Sequence, residues 1–248
     1  MALELVLVRH GQSVGNVARD RAEAAGAEAI EVAQRDADVP LSELGSHQAA
    51  ALGRWLREPG NVPTSVWCSP YLRARQTAAV ALGQAGLDLP VRVDERLRDR
   101  ELGVLDLLTS RGVATRFPAE AQRRRWVGKL YYRPPGGESW CDIALRLRSF
   151  VSDLRSNSST DRRLIVTHDA VIVMFRFVCE QLYEDDLYAI ARQGSITNTS
   201  VTRLEYVADN RPWVLNSFNT DDHLLEVGVP APDPVREAVP LDGGGSVG

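Results

Sequence analysis

Two histidines and at least two arginines stand directly after short apolar runs. Arg9-His10-Gly11-Gln12-Ser13 follows Leu3 to Val8, with Asn16 one turn further on. Ser69-Pro70-Tyr71-Leu72-Arg73-Ala74-Arg75-Gln76-Thr77 follows Ser65 to Cys68, and His168 follows Leu164-Ile165-Val166-Thr167. Arginine offers a planar fork of donors that matches phosphate oxygens two at a time and keeps its charge at any ordinary pH. A histidine crowded by Arg9 and Arg73 is held neutral, which leaves an imidazole nitrogen free to attack phosphorus without a metal. Gly11 would let backbone amides come close, and a helix opening near Ser13 would add N–H groups and its positive end. The chemistry this set points to is an anion site with a histidine nucleophile.

For these residues to meet, the apolar runs must lie side by side. Each is nearly all apolar, which suits strands buried on both faces of a parallel sheet. Helical patterns lie between them. Ile143, Leu147, Phe150, Val151 and Leu154 fall on one helix face, opened by a Ser139–Asp142 capping box, and Ala49, Leu52 and Leu56 mark a helix opened by Ser42. Alternating strands and helices predict an α/β three-layer sandwich with a largely parallel sheet, and such sheets bind ligands at the carboxyl ends of their strands. The polar stretch from Leu105 to Tyr132, with Arg123, Arg124 and Arg125 in a row, reads as helical: a solvated face, or in the sharper reading a lid beside the site. Thr199 to Tyr206 and Trp213 to Phe218 alternate as two strands with a turn around Asn210. From Gly228 onward Pro and Gly dominate, so a catalytic domain over 1–228 and a tail over 229–248 are expected.

Composition narrows the classes. The 248 residues carry 29 Lys+Arg against 33 Asp+Glu, a formal charge of −4, and every basic residue but Lys129 is arginine. Lys129 is followed by Leu130, so no P-loop is present. Mild acidity argues against nucleic-acid or anionic-membrane partners. The amino terminus lacks a basic region, and its apolar run is too short for a signal peptide or a span, so a cytoplasmic location is expected. Cys68, Cys141 and Cys179 are odd in number without CxxC spacing and read as reduced thiols. The sequence leaves oligomeric state open, a homo-oligomer included.

Taken together, LVLVRHGQS with Asn16, LSELG at 41–45, SPYLRARQTA at 69–78, PPGGES at 134–139 and LIVTH at 164–168 resemble the histidine phosphatase superfamily, its phosphoglycerate-mutase-like group. The resemblance implies an α/β core and a covalent phosphohistidine intermediate, with no cofactor and no metal. His10 would be the nucleophile, Arg9, Arg73 and His168 would hold the phosphoryl group, and Ser13 and Asn16 would assist its oxygens. The family's proton donor is usually a Glu in L-x-E-x-x-x-G. Here Leu97 to Gly103 puts Asp99 at that position, with Glu101 two residues later as the alternative. Asp169 stands where many members have Gly, and is expected to point outward or to cap the helix that begins there.

The implied activity is phosphomonoester hydrolysis on a small phosphorylated metabolite. Mutase-type transfer is the runner-up: the segment between Asn16 and Asp38 looks longer and more Ala-rich than in glycolytic mutases, whereas PPGGES is shared with them. A catalytically silent phosphate-binding member is a third reading. Gly11 to Gly15 also matches G-x-S-x-G, a serine nucleophile elbow on Ser13, but only ten residues precede it and Arg9 and Arg73 would have no task. His47 and His223 read as structural.

Overall fold

A computed structural model describes residues 3–156, 161–209 and 211–225. The expected tail and the turn residue Asn210 lie outside these. The strands are β1 (Glu4–Arg9), β2 (Ser65–Cys68), β3 (Val91–Val93), β4 (Arg162–Thr167), β5 (Val201–Glu205) and β6 (Val214–Thr220). The helices are α1 (Val14–Ala24), α2 (Glu43–Leu56), α3 (Leu72–Ala85), α4 (Ser110–Arg116), α5 (Pro118–Val127), α6 (Trp140–Ser156), α7 (Asp169–Cys179), α8 (Glu184–Arg192) and α9 (Asp222–Leu225). The sheet runs β3-β2-β4-β1-β5-β6. Its first four strands are parallel, and β5 and β6 add two antiparallel pairings at the other edge. The fold is therefore α/β with a mixed, mostly parallel sheet flanked by helices.

Period-two alternation explains why β1 is apolar from Leu5 to Val8. Leu5 and Leu7 face one core with Phe150 of α6 and Phe175 of α7, while Val6 and Val8 face a second with Leu52 of α2 and Ala78 of α3. Burying each such side chain stabilises the fold by about 1.5–3 kcal/mol, so a strand covered on both sides has no polar face to spare. Strand β3 escaped the sequence reading because it has three residues, all exposed. The capping box of α6 is present: Ser139 N–H and Oγ donate to Asp142 Oδ2 at 2.7 Å, and Asp142 N–H returns to Ser139 Oγ at 3.2 Å.

The 105–132 stretch forms two short helices, broken where Phe117 precedes Pro118, the latter starting α5 in the position proline tolerates best. No residue of α5 is buried, and Trp126 is exposed. The base of this insertion is stitched to the segment after α1: Ile30 N–H donates to Leu107 C=O at 2.8 Å and Thr109 Oγ1 to Ala27 C=O at 2.6 Å. The three cysteines are free, and burial pushes the Cys68 thiol up to about 12, an unreactive state. Among the described residues no helix is long and apolar enough to cross a membrane.

Candidate active site

Strand register assembles the site. Arg9 of β1 pairs with Thr167 of β4, so the residues that follow, His10 and His168, emerge side by side, their rings edge to face with centroids 5.1 Å apart. Cys68 of β2 pairs with Val166, which brings Ser69 to the same edge. Ser69 Oγ lies 2.7 Å from His168 Nε2.

His10 is buried, with Nδ1 2.7 Å from the carbonyl oxygen of Gly11. A carbonyl only accepts, so Nδ1 carries the proton and Nε2 is left with its lone pair. Arg73 Nε donates to that Nε2 at 3.3 Å. Burial, then the charges of Arg73, His168 and Arg9, hold the imidazole well below its ordinary pKa, so it is neutral at physiological pH. The backbone is fixed by His10 N–H to Thr167 C=O at 2.9 Å and by Asn198 Nδ2 donating to His10 C=O at 2.8 Å.

Arg73 is almost fully buried beneath two carboxylates. Its Nη1 donates to the backbone oxygen of Asp36 at 2.7 Å and to Asp36 Oδ1 at 3.0 Å. Its Nη2 donates to Asp36 Oδ2 at 3.3 Å and to Asp99 Oδ2 at 2.9 Å. Asp99 Oδ2 also lies 3.2 Å from His168 Nδ1, an ion pair whenever that ring is protonated. Asp99 Oδ1 accepts from Arg100 N–H at 2.8 Å. Burial pushes the Asp99 carboxyl up, but the His168 ring, the Arg73 guanidinium and the Arg100 amide outweigh it and hold it well below the usual carboxylate range. Burial also lowers His168, against the pull of Asp99. The alternative acid, Glu101, is exposed, its Oε1 accepting from Gly103 N–H at 3.1 Å.

Arg9 is held from a different direction. Its Nη1 donates to Ser195 Oγ at 3.1 Å and to the Ile196 carbonyl, while its buried Nε has no hydrogen-bond partner among the described residues. Ser195 Oγ in turn donates to Asp169 Oδ2 at 2.5 Å, and Ile196 N–H to Asp169 Oδ1 at 3.4 Å. The expectation that Asp169 caps its helix is corrected: His168 is the N-cap of α7, and Asp169 grips the 195–196 loop that holds the Arg9 side chain.

Three further residues of the expected set have a structural task. Gly11 N–H is committed to Thr77 Oγ1 at 3.0 Å; the residue must be glycine because a Cβ there would stand 2.5 Å from the Gly45 carbonyl oxygen. Asn16 closes a capping box on Ser13, its Oδ1 accepting from Ser13 N–H at 3.0 Å and Oγ at 3.1 Å. The first amides of α1 are likewise spent, Val14 N–H on Pro40 C=O at 3.0 Å and Asn16 N–H on Ser13 Oγ at 3.1 Å. Ser13, Gly11 and Asn16 thus shape the loop that carries His10. Asn198, Ser195 and Asp36 were not singled out as site residues from the sequence, because they sit in irregular segments with no periodic signal; Ser69 stood at a strand end but had no role assigned.

PPGGES braces the acid loop. A Cβ on Gly103 would stand 2.2 Å from Pro135 O, and one on Gly137 would stand 2.6 Å from Glu101 O, so the two backbones touch only because both are glycine. Glu138 N–H donates to Glu101 C=O at 2.8 Å, and Arg146, ion-paired to Glu138 at 3.2 Å, donates to the Asp99 carbonyl at 3.3 Å.

A neutral imidazole between two arginines, with a carboxylate across from it, defines a phosphoryl-transfer site on an α/β frame. The chain belongs to the histidine phosphatase superfamily (branch 1), whose family model matches residues 5–221. It is 33% identical over 164 residues to a 2,3-bisphosphoglycerate-dependent phosphoglycerate mutase of Methylobacterium radiotolerans, covering 65% of this chain and 71% of that one. It is 30% identical over 168 residues to a 6-phosphofructo-2-kinase/fructose-2,6-bisphosphatase of Caenorhabditis elegans, covering 68% of this chain but only 32% of that protein's length. The solved structure of mycobacterial glucosyl-3-phosphoglycerate phosphatase matches with a TM-score of 0.70 and 29% identity, covering 89% of this chain and 100% of that one.

Proposed function

We propose that the chain is a phosphomonoester hydrolase that passes its phosphoryl group through His10 Nε2. The observation that carries this reading is the fixed tautomer: with Nδ1–H tied to the Gly11 carbonyl, the lone pair of Nε2 lies in the buried space shared by Arg73 and His168. In-line attack forms the N–P bond as the ester P–O bond breaks, while Arg9, Arg73 and His168 stabilise the charge on the equatorial oxygens. Asp99 gives its proton to the leaving alkoxide, then takes one from the water that attacks phosphohistidine and releases inorganic phosphate.

Hydrolysis is favoured over transfer by the charge around the mouth. Two carboxylates already stand on the Arg73 guanidinium, Asp36 at 3.0 Å and Asp99 at 2.9 Å. Such an acidic rim repels a leaving group that carries further anionic groups, whereas a mutase must retain a phosphorylated acid while it reorients. The PPGGES segment shared with mutases is accounted for by its bracing of the Asp99 loop, which either reaction needs. The mutase relative keeps phosphoryl transfer as the second reading.

Incubation with 3-phosphoglycerate and a trace of 2,3-bisphosphoglycerate, beside a panel of phosphomonoesters and with His10→Ala as the blank, separates the readings. Free phosphate from the panel, through an acid-labile and base-stable phosphoenzyme, is the expected result. Formation of 2-phosphoglycerate faster than phosphate would overturn it in favour of a mutase. Absence of both turnover and phosphoenzyme would mark a silent binding member.

A further inference from the structure

We propose that Asp36 is a specificity-determining residue, which competes for Arg73 and sets the site against highly charged phosphoryl ligands. The inference rests on the phosphoryl reading of the site. Every N–H of the Arg73 guanidinium has a partner: Nε–H on His10, the Nη1 pair on the backbone and side-chain oxygens of Asp36, and the Nη2 pair on Asp36 and Asp99. A phosphoryl oxygen that reaches this fork must displace a carboxylate already there. Asp99 is confined between Arg73, His168 and the Arg100 amide, while the Asp36 side chain is 41% exposed and has solvent to turn into.

Asp36 turns but does not depart. It lies in a 3-10 turn, Asp36–Asp38, closed by Val39 N–H on the Asp36 carbonyl at 3.3 Å. The chain on either side is pinned by Ile30 N–H on Leu107 C=O at 2.8 Å and Leu41 N–H on Gln76 Oε1 at 2.8 Å. The displaced carboxylate therefore stays beside the bound anion. Repulsion scales with the ligand's charge, so the penalty Asp36 imposes on a dianion, as a ratio of dissociation constants, is the square of the penalty on a monoanion. The site as built tolerates one phosphoryl group, releases inorganic phosphate readily, and disfavours a second phosphate near the first.

The test is titration calorimetry on the full chain at pH 8 with two probes: inorganic phosphate as the dianion, and p-nitrophenyl sulfate as the monoanion. Asp36→Asn is expected to tighten phosphate by about tenfold and the sulfate ester by about threefold, with Asp36→Ser reproducing the order in case the amide finds a new partner. Equal tightening of both probes would show simple competition without charge selection, and weakening of both would show that Asp36 only orients Arg73; either overturns the role of Asp36 alone. Failure of the unaltered chain to bind phosphate overturns the phosphoryl reading together with this inference.

Discussion

Replacing Asp99 by Asn removes one titratable carboxyl from the site and leaves its shape nearly unchanged. At rest the carboxylate is ionised, held so by Arg73 at 2.9 Å and His168 at 3.2 Å, and it has no proton to give. Substrate supplies the correction. A phosphoryl oxygen on the same guanidinium would lie roughly 4 Å from Asp99, where each unit of charge costs the ionised carboxyl about 4 kcal/mol at an effective dielectric near 20. That is about a thousandfold gain in proton affinity, present only while the ester is bound. General acid catalysis contributes about 10²–10⁴-fold, or about 3–5 kcal/mol of barrier, and does so only where the leaving alkoxide is too basic to depart alone. Asp99→Asn should therefore lower kcat/KM by about 10²–10⁴-fold for alkyl phosphates and by less than about tenfold for p-nitrophenyl phosphate. Inorganic phosphate should bind the variant more tightly, because a like charge has gone. The assay is steady-state hydrolysis of a graded series of alkyl and aryl esters, with Glu101→Gln as the control that leaves the slope against leaving-group basicity unchanged. Equal slowing across the series would refute the donor role. A steepened slope in the Glu101 variant would transfer the role to that residue.

Two other outcomes follow from the same geometry. Arg73→Lys exchanges a five-donor fork for a point charge that cannot serve His10, Asp36 and Asp99 together, and should cost about 10²–10³-fold in kcat/KM; near wild-type rates would defeat the case for planar recognition. His223, buried beside Trp55 with Nε2 unpartnered, is held neutral down to a pKa of about 4 from 6.5. The unfolded chain takes its proton first as pH falls, so stability is whole above about 6.5 and declines by about 3 kcal/mol toward pH 4. Substituting His223→Phe should flatten the fall of Tm over that window, and parallel curves would exclude the residue as a cause.

Strands β1 and β4 were legible because burial on both faces leaves an unbroken apolar run, and because the polar residue ending each run is where a parallel sheet binds ligands. That is enough to name His10, Arg9 and His168. It is not enough to say which nitrogen of His10 reacts, since the Gly11 carbonyl that settles the tautomer is a matter of one dihedral. Gly11 and Asn16 carry a further task that no motif shows: the backbone of Gly45 requires a glycine at 11, and the cap of α1 takes Asn16 Oδ1. Asp36 and Ser195 gave no signal, since each lies in irregular chain brought to the site by contacts far away in sequence.

The two arginines of the site differ in a way that orders events. Arg9 has no carboxylate within ion-pair distance among the described residues; Asp169 is held off by Ser195 and Ile196, which take up its oxygens and pass their own acceptors to Arg9. The negative charge of Asp169 opposes the loss of proton affinity that burial imposes on Arg9, yet the Arg9 fork keeps a buried Nε–H unspent. Arg73 has every donor spent, three of them on Asp36. An arriving phosphoryl group thus meets an occupied fork on the Arg73 side. Contact with Arg73 requires Asp36 to turn out and brings the negative charge within reach of Asp99. On this arrangement the acid acquires its proton affinity only when the ester is fully seated. Asp169 fixes Arg9 indirectly, by holding Ser195 and Ile196 against it.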